Sequence, residues 1–126
     1  MSPTQRSIAW LKAQGWQVAR TEHWNSFAKI RQDVWGFADA LGCHAQKIYG
    51  QPIGGEPVFM QDENDIALFQ FTTTPNMSAR EAKIRASKEA AYWLRCGGKI
   101  YVYGWAKRGA RGKRKVWTLT EREISL

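Results

Sequence analysis

The sequence predicts an α/β fold, with a mixed central sheet flanked by helices in the order α-β-β-β-α-β-β. Three observations carry that expectation. The opening segment TQRSIAWLKAQG has helical spacing, five later segments are rich in β-formers, and the Ala-rich stretch SAREAKIRASKEAAYWL falls between the third and fourth of them.

The first segment places Ile8 and Leu11, with Trp10 beside them, on one helical face and ends at Gly15, a good C-terminal cap. WQVART then alternates as a strand, ending near Glu22, His23 and Trp24. NSFAKIRQD reads as a polar, basic connection, and VWGFADALGC as a second strand with Asp39 inside it. Residues 44–65 carry Gly and Pro turn signals in GQPIGGEP, a short strand VFM, and an acidic loop QDENDI. IALFQFTTT is a strong third strand.

The next segment opens with the capping-box pattern Ser78 and Glu81 and predicts one helix, anchored by Ile84, Ala91 and Leu94 and stopped by CGG. KIYVYGWA is a fourth strand, KRGARGKRK a basic turn and VWTLTERE a final strand. No repeat, low-complexity tract or linker divides the chain, so residues 1–126 read as a single domain, long enough for one core.

Composition narrows the function. A hydrophobic fraction of 44%, with 13% aromatic, argues against disorder. Most of the seven Trp residues are expected to pack in the core or on amphipathic faces. No apolar run reaches the roughly 18 residues that a membrane span needs, and MSPTQRSIAW lacks a signal peptide's apolar stretch. The location expected is therefore the cytoplasm, of a bacterial or phage-infected cell, with no membrane partner. Cys43 and Cys96 make no disulfide framework and read as packed thiols. With His23 and His44 they match no compact zinc spacing. Nineteen Lys and Arg against eleven acidic residues give a net charge of +8, which favours an anionic partner, nucleic acid first.

Three features carry the chemistry. Asp39 lies in an apolar segment, where an unpaired buried carboxylate costs several kcal/mol, so a donor, a cation or a watered cavity should face it. Glu22 and Asp33 lie upstream at strand or loop ends. On the third strand, alternation puts Gln70, Thr72 and Thr74 on one face. The third feature is basic: Arg80, Lys83 and Arg85 on the helix, and Lys107, Arg108, Arg111, Lys113, Arg114 and Lys115 in the turn. Such density favours contact with phosphates.

EHWNSFAKIRQDVWGFADAL, FQFTTTPNMSAREAKI and YGWAKRGARGKRKVW together resemble the PD-(D/E)xK nuclease superfamily. The closest likeness is to its Holliday-junction-resolvase-like branch and the small phage-type proteins related to it. The resemblance implies a restriction-endonuclease-like α-β-β-β-α-β core and a metal-dependent DNA endonuclease, with branched or junction DNA as one substrate class. It implies Mg²⁺ or Mn²⁺ held by Asp39, Gln70 and Glu22. A homodimer would place two sites on two strands.

Gln70 stands where the superfamily usually has Glu, and Thr72 where it usually has Lys. The site thereby loses one negative charge. Glu22 offers a second carboxylate, Lys83 a replacement cation, and the Phe71 carbonyl another oxygen, with Asp33 as a further acid. The first helix also lacks the Glu common in resolvase relatives, and residues 48–65 look like an insertion. Arg80 and the basic residues between Lys107 and Lys115 are expected on the duplex backbone, positioning it without reading bases. A DNA-binding protein on the same scaffold that no longer cleaves is the alternative. Convergence of Asp39, Glu22 and Gln70 on one cavity is what separates the two.

Overall fold

The structure is a computed structural model that describes residues 1–45, 48–53, 56–60 and 64–126; over 48–53 and 56–60 it describes the backbone. Helix α1 (Pro3–Ala13) is followed by strands β1 (Gln17–Arg20), β2 (His23–Asn25), β3 (Ile30–Gln32) and β4 (Ala40–Ala45). Then come β5 (Ile48–Ile53), β6 (Glu56–Met60), β7 (Asn64–Thr73), helices α2 (Met77–Arg85) and α3 (Lys88–Arg95), and strands β8 (Lys99–Arg108) and β9 (Val116–Ile124). The central sheet has five strands in the order β1-β4-β7-β8-β9. All neighbours are antiparallel except β7 and β8, which α2 and α3 connect as a parallel pair. The fold is thus mixed α/β with helices flanking the sheet, as the sequence predicts at that level.

Alternation along β7 assigns the two faces. Ala67, Phe69 and Phe71 pack with Tyr103 against Leu11 of α1. Leu68 packs with Ile100 and Val102 against Met77, Ile84 and Ala90 of α2 and α3. Gln70 and Thr72 share the parity of Leu68 and so lie on the α2 side. Helix α1 is fixed by a capping box, in which Ser2 Oγ accepts from Gln5 N (3.2 Å) and Ser2 N donates to Gln5 Oε1 (2.8 Å). It ends where Gly15 takes a φ of +96°, a left-handed conformation that glycine adopts without strain.

Five local expectations are corrected. NSFAKIRQD is not an open connection, because β2 and β3 pair as a hairpin. Asn25 Oδ1 accepts from Phe27 N and Ala28 N (both 3.0 Å), so the turn is closed by a side chain whose amide mimics backbone. Asp39 does not lie within a strand but just ahead of β4, after a tight turn at 34–38 in which Trp35 and Gly36 both have positive φ. Ala38 N donates to Val34 O (2.9 Å) there, which buries Phe37 and Ala38.

The long helix is two helices. Ser87 is extended, and its side chain accepts from Ala90 N to begin α3. This break lets Ile84 and Ala90 both reach the sheet. No capping box forms at Ser78, because a 3-10 turn (Thr74–Asn76) leads directly into α2 and Ser78 is already helical. Glu81 instead pairs with Arg122 (2.8 Å) and Arg85 (3.0 Å), and those two guanidinium groups hold its carboxyl below the usual range. Lastly, Cys43 and Cys96 are exposed rather than packed.

The VFM strand falls within β6, which pairs with β5. Part of the GQPIGGEP turn (54–55) and of the acidic loop (61–63) lies outside the described residues. No helix among the described residues is long and apolar enough to cross a membrane.

Candidate functional site

The site forms where three strand ends meet. Asp39 N donates to Phe69 O (2.8 Å), and Thr21 N and Glu22 N donate to Asp39 O (2.9 and 3.2 Å). The backbone of Asp39 is thus locked between β7 and the exit of β1. Its side chain then has one direction to point, across to the next residues of β7. Gln70 Nε2 and Phe71 N donate to Asp39 Oδ2 at 2.7 and 2.8 Å. Oδ1 makes no hydrogen bond to a described residue. Gln70 Oε1 is buried and without a partner among the described residues, a state that costs about 1–3 kcal/mol if nothing satisfies it.

These groups face a polar cavity of about 290 Å³. Asp39, Gln70 and Phe71 form its floor. Glu22 comes from the entry to the β2–β3 hairpin, Arg31 and Gln32 from β3, Asp33 from its exit, Thr4 from α1, and Arg80 from α2. Glu22 is engaged by Arg31 (2.9 Å). Burial pushes the Asp39 carboxyl up from 3.8 to about 6; the Phe71 N–H opposes this, Glu22 and Asp33 reinforce it, and Arg80 opposes it. Asp39 therefore titrates near neutrality, in a cavity where a cation would favour its charged form.

Of the residues singled out in the sequence, Asp39, Gln70, Glu22 and Asp33 come together here. Thr72 is buried on the same strand face but does not line the cavity, and Lys83 is exposed on α2 away from it. Arg80, expected on the DNA backbone, is the helix cation that reaches the cavity. Its position was legible in the spacing: Met77, Arg80 and Ile84 recur at i, i+3 and i+7, so Arg80 shares the face that the two apolar residues bury. Arg31 and Gln32 were missed because their segment carries only a short hairpin pattern.

No three His, Cys, Asp or Glu side chains among the described residues are grouped closely enough to hold a metal ion on their own. The oxygens at hand are Asp39 Oδ1, Glu22 once it leaves Arg31, and Gln70 Oε1 once the buried amide turns towards the cavity. That donor set is hard and small, which suits Mg²⁺ or Mn²⁺, ions that keep several waters and need few protein ligands. The basic turn lies apart from the cavity: Lys107, Arg108, Arg111, Lys113, Arg114 and Lys115 are all exposed at the β8–β9 end. Trp117 lies beneath two cations, with Arg6 3.8 Å and Lys107 5.3 Å from its ring centre. Comparison with protein-family models, curated proteins and solved structures gives no match for this chain.

Proposed function

We propose that the chain is a metal-dependent DNA endonuclease on a restriction-endonuclease-like core, with Asp39 and Gln70 at the centre of an altered PD-(D/E)xK site. One observation carries this reading: the carboxylate of Asp39 meets Gln70 at the floor of a polar cavity that also holds Glu22 and Arg80. The element order supports it. Helix α1, three antiparallel strands (β1, β4, β7), a helical crossover and the parallel β8 follow the order that the resemblance implies.

Asp39 and Gln70 would hold the ion, which would supply an activated water and neutralise charge on the phosphate. The protein's own part is positioning. Phe71 N–H and the Gln70 amide fix one oxygen of Asp39 and leave the other open to the cavity. Arg80 supplies positive charge on the cavity wall for a phosphate oxygen. The exposed cations of the β8–β9 turn hold the duplex backbone. The replacement of Glu by Gln removes one negative charge, so metal binding should be weaker than at a two-carboxylate site.

The second reading, a DNA-binding protein that does not cleave, is favoured by the lack of a three-group metal cluster among the described residues and by the distance of Lys83 from the cavity. Cleavage of labelled four-way-junction and linear duplex DNA with Mg²⁺ or Mn²⁺, beside an Asp39→Ala protein, separates the two. Metal-dependent cleavage abolished in Asp39→Ala is expected. Salt-sensitive binding by both proteins without cleavage gives the second reading, and no DNA binding by either overturns both.

A further inference from the structure

Phe27 is 98% exposed at the tip of the β2–β3 hairpin, and Trp24, three residues earlier, is 59% exposed. With Ile30 50% exposed as well, one short hairpin carries three large exposed apolar side chains, a grouping that single scattered surface residues do not make. The tip is not loose chain. Asn25 Oδ1 accepts from the backbone N–H of Phe27 and Ala28, and Asn25 Nδ2 donates to Gln32 Oε1 across the hairpin (3.2 Å). Phe27 is therefore presented outward on a braced turn.

Topology puts this tip beside the candidate site. Gln70 lies towards the C-terminal end of β7, where Phe69 pairs with Ala40 and Ala40 pairs with Arg20. The hairpin leaves the sheet at that same end, and its return arm supplies Arg31 and Gln32 to the cavity wall. Strand β8 is parallel to β7, so the β8–β9 turn leaves from this end as well. The β8–β9 ladder continues to Arg108 and Val116, beyond Trp105, where pairing with β7 stops. Two projections thus leave the sheet at the end where the cavity lies, on opposite sides of it in the strand order: a basic turn that does not line the cavity, and an aromatic hairpin with exposed Lys29 and Arg31. At about 4.8 Å per strand they stand roughly 15–20 Å apart across the sheet.

We infer that the β2–β3 hairpin, with Phe27 and Trp24 exposed on it, is a stacking wedge for bases that have left their own stack. The inference rests on the nucleic-acid reading of the site. Cations alone would hold any duplex, since phosphates carry no structural information beyond charge and spacing. Exposed aromatic faces stack on any base, but only where that base has left its own stack. The pairing of a phosphate-binding turn with an aromatic tip, one on each side of the cavity, would place the paired-to-unpaired transition over Asp39.

The test uses fluorescence anisotropy in EDTA, so that binding is read without cleavage. The probes are a labelled duplex and a fork of the same length with single-stranded arms. The proteins are wild type, Phe27→Ala with Trp24→Ala, and Phe27→Tyr. Wild type is expected to bind the fork roughly tenfold tighter than the duplex, the scale of one to two base-stacking contacts. The double variant should lose that preference while its duplex Kd and salt dependence stay unchanged, and Phe27→Tyr should keep it. A 2-aminopurine base at the fork should change its emission with wild type and with Phe27→Tyr, but not with the double variant.

Undiminished preference in the double variant overturns the wedge and leaves DNA binding intact. A wild type that binds fork and duplex equally overturns the wedge too. A wild type that binds neither removes the nucleic-acid reading itself, an outcome distinct from the other two.

Discussion

The two faces of β7 are built to opposite rules. Towards α1, Phe69 and Phe71 join Trp16, Tyr101 and Tyr103 in a nest of rings whose centres lie 5.2–6.4 Å apart around Phe69 and its neighbours. Towards α2, the strand starts with buried Leu68, then places Gln70 and Thr72, with Asp39 opposite. The first face buries aromatic area and satisfies itself. The second holds a carboxylate that titrates near neutrality and an amide oxygen without a partner. One strand can do both because its side chains alternate, so the rigid face holds the backbone while the other carries an unfavourable arrangement.

The comparison is tested most severely on the aromatic face. Phe69→Ala should lower stability by about 3–5 kcal/mol in urea denaturation, since a fully buried ring is lost from a site with no room to collapse. A loss below 1 kcal/mol would mean that this face does not hold the strand.

Asp39→Asn probes the opposite face. Burial raises the carboxyl from 3.8 to about 6, so the fold prefers the neutral acid. That preference is fully present below about 3.8 and is lost as pH rises through about 6. The Asn protein should therefore be more stable than wild type at pH 8, by on the order of 2–3 kcal/mol, and no more stable at pH 4. Equal stabilisation at both pH values would show that charge is not the cause. Any metal-dependent cleavage by wild type should rise with pH through the same range, because the ion needs the ionised carboxylate.

Gly104 tests how tightly the α2 side is packed next to the site. It pairs with Thr72, and a Cβ there would meet Met77 Sδ at 2.3 Å and Thr74 Cα at 3.0 Å. Gly104→Ala should cost about 1–3 kcal/mol, read from the urea midpoint. The smallest effect expected is on metal binding. Gln70→Glu should tighten Mn²⁺ about tenfold, or about 1.4 kcal/mol, in isothermal titration. An unchanged Kd would remove Gln70 from the ligand set.

Much of this division was legible in the residues. The alternation in ALFQFTTT separates Gln70 and Thr72 from the aromatic positions, and Asp39 stands out as a carboxylate among apolar neighbours. Long segments with many apolar positions declare themselves because many residues vote for one period. The β2–β3 hairpin has only three residues per strand, nearly all exposed, so burial leaves no pattern to read. The break between α2 and α3 was hidden for a different reason. Ser87 is tolerable within a helix, and only the sheet beneath decides that it caps a new one. Lys83 was preferred to Arg80 by analogy with a displaced lysine, whereas the spacing from Met77 and Ile84 pointed to Arg80.

The clamp around Asp39 has one more consequence. Thr21 Oγ1 donates to Ala38 O at 2.6 Å, and the amides of Thr21 and Glu22 both close on Asp39 O. The excursion from 22 to 38 therefore begins and ends at one point, as a closed loop sewn at its neck. Such a loop is a cassette. Its outer part, the β2–β3 hairpin, is almost wholly exposed and could be exchanged while Phe37 and Ala38, buried in the core, and Asp39 stay where they are.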